Sequence, residues 1–155
     1  MKKEINKSLS VKFIDYEVQN GYPSEYKIRK WARRAYLGHN KNSVNIKLAS
    51  VSEMKSLNKK YFNKTKPCNV LSFPDVLSSD HSYFLGDIII CGDVVNRESK
   101  IFNVDSDKRW AHMIVHSMLH LQGYDHILKK NQQMMERKEI YLMSQIGFSN
   151  PYHEN

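Results

Sequence analysis

The sequence predicts a chain of the α/β (α+β) class, with four short strands packed by about five helices and a central helix that carries histidines. Three observations predict it. The chain has 155 residues, 41% apolar and 26% charged, the balance of one ordinary globular domain over residues 1–155. Four apolar runs of strand length are separated by stretches with helical periodicity. One of those stretches, residues 108–121, is apolar on all sides, as a helix packed on several faces must be.

Val11 to Tyr16 alternates and reads as the first strand, after which Gly21-Tyr22-Pro23-Ser24 supplies a turn and an N-cap. From Ser24 to Leu37, the residues Ile28, Trp31, Ala32 and Ala35 share one side of a helix, leaving Lys27, Lys30, Arg33 and Arg34 as a basic outer face. Val44 to Ala49 reads as the second strand. Ser52 is the expected N-cap of a helix reaching Tyr61, with Met54 and Leu57 inward. Asn69 to Phe73, closed by Pro74, and Leu85 to Cys91 read as strands, the latter buried on both faces because Ile88, Ile89 and Ile90 run without a polar partner. The polar segment from Asp75 to Tyr83 between them is expected to be a mobile loop. A short helix over 94–102 follows, and Asn103 to Asp107 offers an N-cap for the helix 108–121. The last helix, 132–146, is expected to end at Gly147 as a left-handed cap.

Other features bound the function classes. No run approaches the roughly 18–20 consecutive apolar residues of a bilayer span, and the start, MKKEINKSLSVKF, lacks the pattern of a secretory leader. The two cysteines, Cys68 and Cys91, show no metal or disulfide spacing, so two free thiols in a reducing cytoplasm are expected. The net charge of +8 is uneven: residues 1–66 hold 16 Lys and Arg against 5 Asp and Glu, and residues 67–155 hold 8 against 11. A first half that basic makes nucleic acid the leading partner class.

Four of the seven histidines lie between positions 112 and 126. Residues four apart stand one turn above each other on a helix, so His116 and His120 project from one face at a separation that one cation bridges. Gly123 can end the helix with φ > 0 and return the chain, bringing His126 toward the same point. Three neutral imidazoles suit Zn²⁺ and leave a fourth tetrahedral position open, the catalytic rather than the structural arrangement. His112, one turn earlier, is too far along the axis to join both others on one ion and is assigned a supporting place beside the ligands. Asp125 is assigned a similar place, orienting the loop.

The spacing is also that of the metzincin metalloproteases, H-E-x-x-H-x-x-G-x-x-H, in which glutamate after the first histidine is the general base. Here that position is Ser117, whose hydroxyl has no suitable pKa, so the cage survives without the peptidase base. A metal that polarises a phosphoryl oxygen makes phosphodiester cleavage the better candidate.

The run His116 to His126 resembles the H-G-x-L-H-L-x-G-Y-D-H motif of the YbeY family of bacterial metal-dependent endoribonucleases. Leu57-Asn58, Lys66-Pro67, Asn69 to Pro74, Leu85-Gly86-Asp87, Ile90-Cys91, Trp110-Ala111-His112 and Asn150-Pro151-Tyr152 carry the likeness further. The resemblance implies a small mixed sheet and one zinc ion at His116, His120 and His126. It also implies single-strand-type cleavage of ribosomal RNA, in maturation of the 16S 3′ end and in ribosome quality control. The ribosome and its RNA are then the partners, with no membrane and no DNA. Two departures stand out. Phe62 replaces an arginine of the family pattern, leaving Lys60, Lys64 or Lys66 to meet phosphate without arginine's bidentate geometry. Ser117 replaces a glycine. A ribosome-associated RNA-binding factor with a structural zinc, its nuclease activity weak or lost at Phe62, is the alternative reading.

Overall fold

Alternation of apolar and polar side chains in the four strands fixes which face of the sheet each residue enters, and the helices then cover both faces. The structure, a computed structural model, describes residues 8–75 and 83–152. Its elements are β1 (Leu9–Ile14), α1 (Glu25–Ala35), β2 (Asn42–Leu48), α2 (Val51–Phe62), β3 (Val70–Pro74), β4 (Gly86–Ile90), α3 (Gly92–Ile101), α4 (Ser106–Leu121) and α5 (Lys129–Gln145). The sheet order is β1-β2-β4-β3, with β1, β2 and β4 parallel and β3 antiparallel on the edge of β4. This is the expected α/β class with a mixed four-stranded sheet and five helices. No helix among the described residues is long and apolar enough to cross a membrane.

Leu9, Val44, Ile46, Ile88 and Ile90 are fully buried in a large core with α1, α4 and α5. A smaller core on the other side gathers Met54 of α2, Leu71 of β3, Cys91 and Val94. Helix α4 buries Trp110, Ile114, Val115, Met118 and Leu119 completely, as apolar residues spread over most of its circumference demand. Each such side chain contributes about 1.5–3 kcal/mol of transfer free energy relative to exposure. The site is therefore carried on the most firmly packed helix of the molecule.

Several boundaries differ from the sequence expectation, each for a local reason. Strand β1 stops at Ile14 because Asp15 takes φ of 49°, yet Tyr16 is still buried and its hydroxyl donates to the Pro23 carbonyl. The N-cap of α2 is Ser50, whose Oγ accepts from the Glu53 N–H, and not Ser52. Helix α5 starts at Lys129 rather than 132, without a side-chain cap; two lysines in its first turn oppose the helix dipole and hide this start in the sequence. The basic face of α1 is partly engaged, since Lys27 pairs with Asp107 at 2.6 Å and Arg33 Nε donates to the Leu9 carbonyl. Ile89, between the two fully buried isoleucines of β4, is only half-buried. Apart from its ends, the loop expected to be mobile lies outside the described residues. Ser24 caps α1, Asp105 caps α4, and both cysteines are free, as expected.

Candidate metal centre

Helix α4 stacks His112, His116 and His120 along one face, and its C-terminus decides where the third ligand comes from. Gln122 is the last capping residue and Gly123 follows with φ of 98°, a backbone conformation open to glycine and strained for other residues. The Gly123 N–H reaches the His120 carbonyl and the Tyr124 N–H reaches the Leu119 carbonyl, the paired bonds of a Schellman cap. Gln122 clamps this end to α1: its amide donates to the Ala35 and Met118 carbonyls, and its oxygen accepts from the Leu37 N–H. Asp125 then accepts from the Ile127 N–H and from Asn131, turning the chain into α5. His126 sits within that turn.

Ligand atoms of His116, His120 and His126 all lie within 4.8 Å of one another. Nε2 of His116 and Nε2 of His120 are 3.1 Å apart. Tetrahedral Zn²⁺ with Zn–N of about 2.0–2.1 Å places its nitrogens about 3.3 Å apart, so the His116–His120 pair fits such an ion, with His126 within 4.8 Å of both. Burial pushes the His120 pKa down to about 4, helped by the neighbouring His116 and His126, while a bond to the Tyr124 backbone opposes the shift. His120 is therefore neutral near pH 7, as a ligand must be.

The residue that organises the cluster is Glu139 of α5, only 1% exposed. Its Oε2 accepts from His112 Nε2 at 2.5 Å and from the Tyr152 hydroxyl at 2.7 Å, and its Oε1 accepts from His116 Nδ1 at 3.2 Å. Burial alone would raise its pKa, but the bonds from His112 and His116 outweigh this and bring it to about 2. An ionised carboxylate has no proton to offer, so both rings donate. His116 thus carries its proton on Nδ1 and turns the Nε2 lone pair toward the other two imidazoles. Burial and the bond to Glu139 push the Tyr152 hydroxyl far above the ordinary phenol range. His112 faces this carboxylate and is not one of the three clustered donors.

The imidazoles open onto a cleft of about 650 Å³ between α4 and the chain from Asn58 to Pro74. Phe62 and Lys64 form its outer lip, while Lys60 and Lys66 are absent from its lining. Lys60 lies over the Tyr61 ring at 5.1 Å, and the Lys66 carbonyl accepts from Asn58 Nδ2. Arg109 also lines the cleft, held by Glu98 at 3.0 Å. Ser117 is fully buried and does not line the cleft, so the place of the metzincin base faces the core here; its Oγ has no hydrogen-bond partner among the described residues.

Glu139 and Arg109 escape sequence reasoning. A signal for Glu139 exists: it interrupts the buried stripe Met135, Leu142 and Met143 at helical spacing. A carboxylate in such a stripe needs a buried donor, and the histidines of α4 are the available ones.

Comparison with known proteins agrees with this architecture. The family model Endoribonuclease YbeY matches residues 8–147. Proteins named Endoribonuclease YbeY include one from Wigglesworthia glossinidia brevipalpis, 39% identical over 84% of this chain and 88% of its own. One from Buchnera aphidicola subsp. Schizaphis graminum is 36% identical over 98% of this chain and 97% of its own. One from Methylococcus capsulatus is 42% identical over 85% and 88%. The solution structure of TM1509 from Thermotoga maritima shares the fold, with a TM-score of 0.54 over 93% of this chain and 99% of the other at 21% identity. With a family match across nearly all of the described residues and relatives this similar over most of their length, the chain belongs to the YbeY endoribonuclease family.

Proposed function

We propose that this chain is a zinc-dependent endoribonuclease of the cytoplasm that cleaves single-stranded ribosomal RNA. Its tasks in this reading are maturation of the 16S 3′ end and ribosome quality control, with residues 1–155 acting as one domain. The observation that carries the proposal is the convergence of three imidazoles, with ligand atoms within 4.8 Å of one another, at the floor of an open cleft. His116, His120 and His126 hold the ion. Glu139 fixes the tautomer of His116 from behind, and His112 and Tyr152 complete the carboxylate's partners. Asp125 holds the turn that carries His126. A divalent ion held there supplies Lewis acidity, drawing charge from a phosphodiester and easing loss of a proton from the attacking oxygen. Lys64 on the lip, with Lys60 and Lys66 nearby in sequence, attracts the RNA backbone. The family relationship names the reaction class, and the basic first half of the chain agrees with an anionic polymer as substrate.

The test pairs metal content with turnover on one preparation. Wild type is expected to carry about one equivalent of zinc by elemental analysis and to cleave a 16S precursor, while His116→Ala and His120→Ala lose both. Full zinc retention in both variants would sink the metal cage. Wild type that binds the precursor and never cuts it would convert the reading to that of an RNA-binding factor.

A further inference from the structure

Phe62 is an exposed apolar ring on the lip of a cleft that presents Val70, Leu71, Pro74 and Met113 as well as its histidines, Lys64 and Arg109. It is 48% exposed at the last turn of α2 and lines the same cleft as His116, His120 and His126. Its placement is fixed from below. The ring rests against Phe73 of β3, with centroids 6.3 Å apart and planes 30° from parallel, and Tyr61 packs edge-on to the same Phe73 at 5.0 Å. The helix end is pinned by Asn63 in the left-handed region, whose N–H reaches the Lys59 carbonyl, and by the Lys64 N–H on the Asn58 carbonyl. One edge of Phe62 is thus held while much of the ring remains open to water.

We infer that Phe62 is a stacking platform for an unpaired nucleobase of the RNA, with Lys64 beside it meeting the phosphate of the same strand. The inference rests on the RNA-cleaving reading and deepens it by naming what the lip recognises. A nucleotide joins a flat apolar base to an anionic phosphate, and the lip lines one cleft with a flat apolar ring and a lysine two residues on. Stacking needs no particular base, since every base has a π-face, but it needs a base free of its own helix. An arginine at this position would grip phosphate instead of a base. Phenylalanine moves recognition at this position from the backbone to the base. Lys60 over the exposed Tyr61 sets a second ring and cation in the two preceding residues of α2.

The experiment measures binding of a fluorescently labelled 12-nucleotide single-stranded RNA to the full chain, by anisotropy and without turnover. Wild type is compared with Phe62→Leu, Phe62→Trp and Phe62→Arg, and the RNA with an abasic strand of equal length. Phe62→Leu keeps apolar packing on Phe73 but removes the flat face, and is expected to weaken single-strand binding about tenfold without changing its salt dependence. Phe62→Trp should retain affinity, and its indole fluorescence should be quenched by unlabelled RNA and not by the abasic strand. The native indoles, Trp31 and Trp110, are 4% and 0% exposed and leave the new signal readable. Phe62→Arg should lose the difference between the intact and the abasic strand and steepen the salt dependence by about one ion. Equal binding by wild type and Phe62→Leu, or indole emission from Phe62→Trp that is indifferent to RNA, would overturn the platform even if wild type cleaves. Base-dependent binding by a protein that does not cleave would uphold the platform and sink the nuclease reading alone.

Discussion

Behind one wall of the cleft, Glu139 at 1% exposure accepts from His112, His116 and Tyr152, and the histidines stand on a helix whose other faces are deeply packed. On the facing wall, Phe62 stands half exposed at a helix terminus and Lys64 lies in the loop after it. The first wall sets the position of the candidate ligands and the tautomer of His116, where small displacements would alter coordination. The second, in the proposed function, would meet a flexible polymer, and there a ring or a cation can be exchanged and the fold survives. Precision of placement thus follows burial across this site: the histidine-bearing side is tied across α4 and α5, and the side that carries Phe62 and Lys64 stays open.

If that contrast is right, the largest effect comes from Glu139. Glu139→Ala removes the shared acceptor of three donors, and a buried polar group left unpaired costs about 1–3 kcal/mol each. Because His116 and Tyr152 reach some solvent, an overall loss of about 3 kcal/mol is expected, lowering the melting midpoint by roughly 6–12 °C. Glu139→Gln keeps shape and an acceptor oxygen; it should fold, and bind zinc about 10–100-fold more weakly. Thermal unfolding of metal-free protein and a competitive zinc titration check the two arms. Unchanged zinc affinity in Glu139→Gln would show that His116 needs no orienting partner.

The same wall should dominate the pH dependence of the metal-free protein. His120 is lowered from 6.5 to about 4, so between those values the unfolded chain takes up a proton that the folded chain refuses. Glu139 is lowered from 4.5 to about 2, and its contribution is present above 4.5 and is lost as pH falls toward 2. Both signs agree: stability rises with pH from about 2 to 6.5. Urea midpoints across this range should show the rise, and Glu139→Gln should flatten its acidic part while leaving the part above pH 4.5.

A smaller effect is expected where the two histidine-bearing segments join. Gly123 has open space around its Cβ position, so Gly123→Ala tests backbone conformation and not a clash. At φ of 98° the substitution should cost about 1 kcal/mol or somewhat more and displace His126. Zinc affinity should therefore fall further than stability alone would suggest, which titration and urea unfolding on one sample will separate.

These residues also show what was legible in the sequence. His116, His120, Gly123 and His126 are local: helical spacing and one glycine are enough to predict their convergence, and the structure gathers them. The class of fold and most elements were legible for the same reason, since strands and amphipathic helices write their period into the chain. Glu139 was not, because its partners lie 23 and 27 residues away and only tertiary packing brings α5 onto α4. The start of α5 and the cap at Ser50 were misplaced because competing signals, two lysines in a first turn and a second serine, were equally plausible locally. The environment of Phe62 was equally hidden: sequence shows a missing arginine, while the ring's seat on Phe73 exists only across the fold.

The smallest expected effect lies on the open wall. Lys64 is exposed beyond the α2 cap, with its backbone N–H on the Asn58 carbonyl. Lys64→Ala leaves that backbone bond in place and removes only an exposed charge, so stability should change by less than about 0.5 kcal/mol. Its consequence belongs to binding: one fewer phosphate contact reduces the slope of log K against log salt by about 0.7 for single-stranded RNA. The loss should be uniform across sequences, because a cation reads the backbone and not the bases. Combining Lys64→Ala with Phe62→Leu separates the two contributions, since the first should change the slope and the second only the intercept. A Lys64→Ala slope equal to wild type would move the phosphate contact elsewhere, with Arg109 as the next cation along the cleft.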